Sequence, residues 1–530
     1  MTNTNNFNNI PAEKFQFAKR NDYSHDSKFE TKPVSYFQDA FRRFCKNKGA
    51  VVGAIVILIL VLFAIIAPLF TPYTPSYGDI LYANALPRNP LFENAGFWDG
   101  CKSYEASEIT YWRDLALEKE TGMNVINGDV EISEDGKLYS YRRNTYYCVG
   151  FGLYKNLTVE RYQDILRYQN ETGKQVLYPI LHPLERANIQ VQDQDNANIY
   201  YKTTTKMGDN GKPITVPVFD EDGNFIPLYW TVEAGSKAAL AAEYNSIRIE
   251  GEDGFTKDGK QYYYVYAMSS DSGVQVRANY YEYYTYMHTQ VYKDGISEPS
   301  FLFGATNADN GGADIFACLA YGARFSFLFA LAVAVVNFIV GVVYGSIAGY
   351  FGGKVDLFME RFSEILGSVP SMIVITLLKY HMGRSSDALI LFITFFATGW
   401  IGMAGTTRMQ FYRFKNQEYV LAARTLGARD TRIMFKHIFP NGLGTIVTAC
   451  ALVIPSMIYS ETNLTYLGIV DLSKTSSVGT LIAAGQESIQ ISPHAALFPC
   501  AFLVLLMLSF NLFGNGLRDA FNPSLRGSEG

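Results

Sequence analysis

The chain has 530 residues, with 45 Lys and Arg against 50 Asp and Glu for a formal net charge of −5, and a mean hydropathy of +0.01. That length admits more than one folding unit, and the acidic balance offers nucleic acid no basic footprint. The near-zero hydropathy excludes a uniform chain of either kind only when read locally, because long uncharged runs flank a polar centre.

In chain order, residues 1–48 are polar and carry 9 Lys and Arg. They are too long and too polar for the start of a cleaved signal peptide, so the apolar run that follows reads as a retained anchor. That run, Gly49–Phe70, is the first of five without a charged residue; the others are Phe325–Gly353, Ala388–Thr407, Pro440–Ser460 and Ala495–Leu517. Each reaches the ~20 residues with which a helix crosses ~30 Å of hydrocarbon. A sixth, Ile365–Leu378, becomes long enough when extended back through Leu357–Phe362. The expectation is an α-helical polytopic membrane protein of six transmembrane helices: helix 1 at 49–71 and helices 2–6 within a core at 315–517. Lys and Arg favour the inner side of short loops. With the N-terminus inside, segments 1–48, 354–364, 408–436 and the tail after Leu517 hold 9, 2, 7 and 2 of them, while the short outer loops hold Arg324, Lys379, Arg384 and Lys474. Both ends, 1–48 and 518–530, are therefore expected in the cytoplasm.

Between the first and second spans, residues 76–300 form an acidic insert with 21 Lys and Arg and 32 Asp and Glu. The same orientation makes it extracellular. Pairs at Asp135-Gly136, Asn210-Gly211, Asp222-Gly223, Asp253-Gly254, Asp258-Gly259 and Asp294-Gly295 supply the positive φ of hairpin turns. Flanking segments Leu138–Tyr154 and Gln261–Met268 are aromatic and β-prone. Helices are expected at Val159–Asn170 and Glu233–Tyr244, so the reading is a mixed, mainly β domain large enough for a core. Its Tyr-rich runs read as ordinary sheet packing or as a peptide-binding face. Cys101 and Cys148, alone in the insert, are a candidate disulfide or two thiols, since spacing in sequence does not set the Cα separation. His182 and His288 have no metal-type neighbours, and no HExxH, GxSxG or CxxC pattern points to a catalytic or metal site.

In the core, Gly341, Gly345 and Gly349 repeat at the spacing that brings two helices close. Pro370 and Pro455 fall inside expected helices as kink or hinge candidates. Glu461, at the outer end of the fifth span, is either a transport-pathway group or a residue that meets the headgroup region or caps a neighbour. The loop Gln417–Gly444 reads QEYVLAARTLGARDTRIMFKHIFPNGLG. Helix formers from Glu418 to Leu426 meet Gly427, and a second run from Thr431 to Phe439 is expected to stop at Pro440. Small residues at Ala422 and Ala423 allow close approach of another backbone. Arg424, Arg429, Arg432 and Lys436 keep the segment in water, which gives a bent knob for a cytoplasmic partner. With no G-x-x-x-x-G-K-[ST] loop, any ATP is handled by another chain.

The segment resembles the EAA loop of ABC importer permeases: Ala422, Ala423, Gly427 and Pro440 match, while Leu421 replaces the Glu and His437 and Phe439 stand at the Ile and Leu positions. The fuller phrase EYVLAARTLGA…FKHIFPN, with Glu418, Arg424 and Ala428, resembles the C-type permease of oligopeptide and dipeptide importers. So do Ser35–Pro75, Phe301–Phe329 (with Gly312-Ala313-Asp314 at the Gly-Arg-Asp position), Ala348–Met372, Ser460–Ile469 and Gly514–Gly527. The insert has no such counterpart. The resemblance implies the type I importer fold in the plasma membrane of a bacterium, and coupling of loop 417–441 to ATPases. Implied partners are a second homologous permease, two ABC ATPase subunits, an extracellular substrate-binding protein and membrane lipid. ATP and Mg would sit on the ATPases and no cofactor on this chain. The competing class is a membrane-anchored receptor or adhesion protein.

Overall fold

The computed structural model describes residues 36–92, 96–133, 138–182, 200–208, 211, 213–236, 254–270, 273–382, 386–472 and 476–521. A short amphipathic helix, α1 (Tyr36–Lys46), sets Phe44 edge-on to Phe513 at 5.5 Å between ring centroids. Asn47 then caps α2 (Lys48–Phe70), its side chain accepting from the Ala50 amide. This is the first expected span.

The insert begins with β1 (Cys101–Ser107), α3 (Glu108–Thr121), β2 (Ile126–Ile132) and β3 (Leu138–Asn144), which build an antiparallel sheet in the order β1-β3-β2. After it come β4 (Phe151–Leu157), the expected helix as α4 (Val159–Thr172), and β5 (Leu177–Tyr178). The remaining strands are β6 (Thr203–Met207), β7 (Pro213–Pro217), β8 (Thr231–Glu233), β9 (Gly254–Lys257), β10 (Lys260–Tyr264), β11 (Ala267–Ser270) and β12 (Gly273–Asn279), followed by α5 (Tyr280–Tyr286). They pair as β8-β10-β9, β11-β12-β4 with β5 on β12, and a β6-β7 hairpin. Asp258 and Gly259, both at positive φ (53° and 74°), form the two-residue turn between β9 and β10 that such a pair favours. Asp294-Gly295 instead lies in an irregular bend after α5, and Glu233 ends a strand rather than starting a helix. The rest of that expected helix, 237–244, lies outside the described residues, as do Asp135-Gly136, Asn210 and Asp253. Several of the tyrosines are packing: Tyr82, Tyr146, Tyr162 and Tyr201 are fully buried, whereas Tyr292 is exposed. Cys101 and Cys148 are not joined; both are thiols, and the Asn127 amide lies 2.9 Å from the Cys101 sulfur.

The core resumes with α6 (Ile315–Phe351), α7 (Gly353–Gly367), α8 (Ser371–His381), α9 (Asp387–Phe414), α10 (Glu418–Thr425), α11 (Asp430–Tyr466), α12 (Val478–Glu487) and α13 (His494–Phe521). Among the described residues, α2, α6, α9, α11 and α13 are long and apolar enough to cross a membrane. The sixth span is not one helix: α7 and α8 are bent by 68° at a short break. Pro370 is the cap residue of α8 at that break, not an interior residue, because its ring cannot continue the i to i−4 ladder. Pro455 does lie within α11. The short α12, absent from the sequence reading, folds back among its neighbours where Gly479 leaves room against Thr462 of α11.

The glycine ridge works as its spacing suggests. A Cβ added to Gly341, Gly345 or Gly349 would lie 2.8, 2.2 or 2.7 Å from the carbonyl oxygens of Trp400, Ala404 and Arg408 in α9. The backbones of α6 and α9 therefore touch, which only residues without a side chain permit. Gly345→Val should overpack this seam by about 1–3 kcal/mol and lower the thermal unfolding midpoint in detergent. Gly402→Ala, within α9 where an added Cβ meets nothing within 4 Å, should not lower it.

Candidate functional site

The bundle has two ends, one carrying the insert and one carrying Gly427. At the Gly427 end, α9 runs past Phe414 into α10, and Gly427 at φ 77° reverses the chain toward α11. A side chain in that left-handed region costs about 1–2 kcal/mol. Space is no constraint, because a Cβ at Gly427 would touch nothing within 4 Å.

The knob is pinned by one apolar cluster. Val420 on α10 is fully buried against Ile433, Met434 and Ile438 of α11, Phe411 of α9 and Tyr350 of α6. Polar bonds frame it. The Tyr350 hydroxyl donates to Asp430 Oδ1 at 2.5 Å and lies 3.4 Å from Arg424 Nη2. The Asn441 amide donates to the Tyr419 hydroxyl at 3.2 Å and to the His437 carbonyl at 2.8 Å. The outward face is uncovered and partly apolar: Leu426 is 88% exposed, and Leu421, Phe435 and Tyr419 are also exposed. Ala422, Glu418 and Arg424 lie on this exposed side, with Ala423 and Ala428 half-buried.

Pro440 departs from the sequence expectation. The second helix does not stop there but continues as α11 through Tyr466. Ile433–Ile438 forms a wide π-helical turn, and Pro440 sits at the first positions of the regular helix that follows, where its missing N–H costs little.

Beside the knob, Arg408 of α9 holds α7. Its guanidinium reaches both oxygens of Asp356 (2.6 and 2.8 Å) and both of Glu360 (2.9 and 3.0 Å). Tyr412 donates to Asp356 at 2.5 Å, and Lys415 donates to the Gly349 carbonyl at 3.0 Å. Sequence reading missed this clamp, although the Arg on α9 and the Asp and Glu four apart on α7 were there as its signal. Glu461 is not at a headgroup surface. It is fully buried within α11, with the Ser326 hydroxyl donating to it at 2.9 Å and the Thr465 hydroxyl at 3.3 Å. Glu461, Pro370 and Pro455 are not brought to the Gly427 site.

At the insert end, sequence reading missed two buried arginines. Arg88, 1% exposed, donates to the Pro299 carbonyl and to the hydroxyls of Tyr281 and Tyr147 at 3.0–3.2 Å, with the Tyr146 ring 5.1 Å away. Arg277 pairs with Glu120 at 3.1 Å and lies 4.5 Å from the Tyr200 ring centre. His288, which looked solitary in sequence, lies 2.7 Å from Asp294 and 3.4 Å from the Tyr77 hydroxyl.

Residues 341–527 match the family described as binding-protein-dependent transport system inner membrane component, and residues 35–87 match the N-terminal TM domain of oligopeptide transport permease C. The chain belongs to this family of helical membrane permeases and is a transporter permease subunit. It is 41% identical over 218 residues to the oligopeptide transport system permease protein OppC of Bacillus subtilis, covering 41% of this chain and 71% of that one. To the dipeptide transport system permease protein DppC of Lactococcus lactis it is 40% identical over 237 residues, covering 44% and 68%. Among solved structures, an inward facing conformation of the MetNI methionine ABC transporter is 17% identical over 39% of this chain and 96% of that one, at a TM-score of 0.32, a likeness that adds nothing to the sequence matches.

Arg408→Ala would leave the Asp356 carboxylate, whose side chain is 8% exposed, with Tyr412 as its remaining neighbour of this clamp. The expected cost is about 1–3 kcal/mol, read as faster amide hydrogen exchange across residues 353–367 with no change at residues 315–330.

Proposed function

We propose that this subunit forms, with a second homologous permease, the translocation pathway of an ATP-binding cassette importer for oligopeptides or dipeptides. The observation that carries the reading is the knob itself: a two-part helical turn at Gly427, pinned from within by Val420 and presenting Leu426 and Leu421 outward. Burying Leu426 in a partner would gain about 1.5–3 kcal/mol, so an uncovered side chain of this size at the tip of a helical turn fits a partner's cleft better than water. Two ABC ATPase subunits, carrying ATP and Mg, would grip residues 417–441 on the cytoplasmic side. Their closure would pass through α10 to Phe411 of α9 and Tyr350 of α6, the helices joined by the glycine ridge, and alternate the access of the pathway. Ala422, Ala423 and Gly427 keep the knob slim, while Glu418, Arg424, Ala428 and Pro440 set its ends. Peptide cargo follows from what the relatives are named for. The insert at 76–300 lies outside the membrane in this scheme, as a docking or gating platform for an extracellular substrate-binding protein, and both termini lie in the cytoplasm.

Gly427→Asp places a charge and a strained backbone at the tip. It should abolish ATP-dependent peptide uptake by the assembled complex while membrane insertion, followed by fractionation, stays normal; uptake at the unaltered rate would refute the coupling role. Deleting residues 76–300 should weaken capture of the binding protein at least tenfold in a pull-down titration, and an unchanged affinity would remove the platform.

A further inference from the structure

The β1-β3-β2 sheet has two unlike faces. On one, Tyr141 and Arg143 of β3 point to α3, where the buried Asp114 accepts from the Tyr141 hydroxyl at 2.7 Å and pairs with Arg143 at 2.6 Å. Because side chains alternate along a strand, the other face carries the residues between these. Register fixes its layout as two rows: Ser103, Arg142 and Asn127 are cross-strand neighbours, and two residues along lie Glu105, Ser140 and Glu131. A bulge makes this possible. Gly128, Asp129 and Val130 together oppose Tyr141 alone, with Gly128 at φ 78°, which returns Glu131 to the face that Asn127 occupies.

Among the described residues no helix covers this face. Across from it stand Gln490 and Ile491 of the loop between α12 and α13, and the space between is a cavity of 730 Å³. A second cavity of 550 Å³ adjoins it, sharing Asn127, Gly128 and Arg142. Both volumes fall in the range of about 300–1,000 Å³ typical of small-ligand sites. The guanidinium of Arg142 donates to Asp99 at 2.6 Å through one nitrogen and is 43% exposed, so donors remain for a ligand. The groove thus has one row holding the Asp99-paired Arg142 guanidinium and a doubly anionic row about 7 Å apart, two residues at ~3.4 Å each, with Lys102 and Asp129 also in its lining.

We propose that this groove binds a short zwitterionic peptide of two or three residues, its carboxylate at Arg142 and Asn127 and its ammonium at Glu105 and Glu131. An extended chain spans about 3.3–3.6 Å per residue, so the termini of a di- or tripeptide match the spacing of the two rows, whereas a single amino acid is too short to reach both. The proposal deepens the importer reading and rests on it for biological meaning. It places a cargo site on the insert itself, beside the outer loop of the permease core.

The test uses the full chain in lipid nanodiscs and titrates trialanine by calorimetry, with N-acetyl-trialanine amide as the charge-blocked control. Trialanine should bind, Arg142→Gln should weaken it at least tenfold, and Glu131→Gln, at an exposed position, should weaken it at least threefold. The blocked peptide should not bind. Wild-type affinity in both variants, equal binding of the blocked peptide, or no binding of trialanine would each overturn the groove. Gly427→Asp, at the far end of the bundle, should bind trialanine as the wild type does. If the assembled complex showed no ATP-dependent uptake while groove variants still lost trialanine, the importer reading would fail and the groove would stand. Normal uptake with groove variants that bind like the wild type would remove the groove alone.

Discussion

The arrangement at the Gly427 end depends on backbone contact between α6 and α9. Three glycines on α6 allow the carbonyls of α9 to approach to where any side chain would collide. In hydrocarbon the apolar effect gives helices little reason to associate, so close van der Waals packing of this kind carries much of the burden. Once the seam is closed, Tyr350 at the end of α6 and Phe411 near the end of α9 stand side by side. They form the floor on which Val420 and the first turns of α11 rest. The knob is thus an extension of a rigid pair rather than a free loop, and force applied to it acts on both helices.

Much of this was legible in the sequence because its causes are local. Uncharged runs of membrane-crossing length located five helices, α2 and α13 to within a few residues of their ends; α6 starts ten residues earlier at Ile315, α9 runs seven residues further to Phe414, and α11 starts ten residues earlier at Asp430 and ends six later at Tyr466. Helix α6 begins early because Asp314 caps it, accepting from the Ala317 amide, a signal that hydropathy does not register. Gly427 and the ridge at 341–349 were readable for the same local reason. What failed depended on tertiary context. Pro440 looked like a stop, but a π-helical turn absorbs the conflict and lets the helix run on. Pro370 looked interior, but the helix breaks there. The short α12 has too few apolar residues to announce itself and exists through its packing against α6, α11 and α13.

The insert was legible as strands and turns but not as an object with a particular interior. Its organising groups are charges buried among aromatics, a pattern no linear motif encodes. Arg88 lies 193 residues from its partner Tyr281, and Arg277 lies 157 residues from Glu120. Such groups are costly to bury and tolerable only when paired and hydrogen-bonded, so each fixes a single relative placement of the segments around it. The joint with the bundle is equally tight. Phe303 stacks on Phe498 at 4.2 Å, the Ser492 hydroxyl donates to Asn84 at 3.0 Å, and Gly304 leaves no room for a side chain beside His494. The insert is therefore seated directly on the ends of α6 and α13 that lie away from Gly427.

The wide turn at Ile433–Ile438 sets the angular phase of everything before it. An ordinary helix advances about 100° per residue, so removing one residue from this stretch would swing Gly427 and α10 roughly a quarter-turn around the axis of α11. Val420 would leave its socket, and Leu426 would aim sideways instead of away from the bundle. The segment acts as a washer of fixed thickness: its six residues need not touch any partner to decide which way the tip faces.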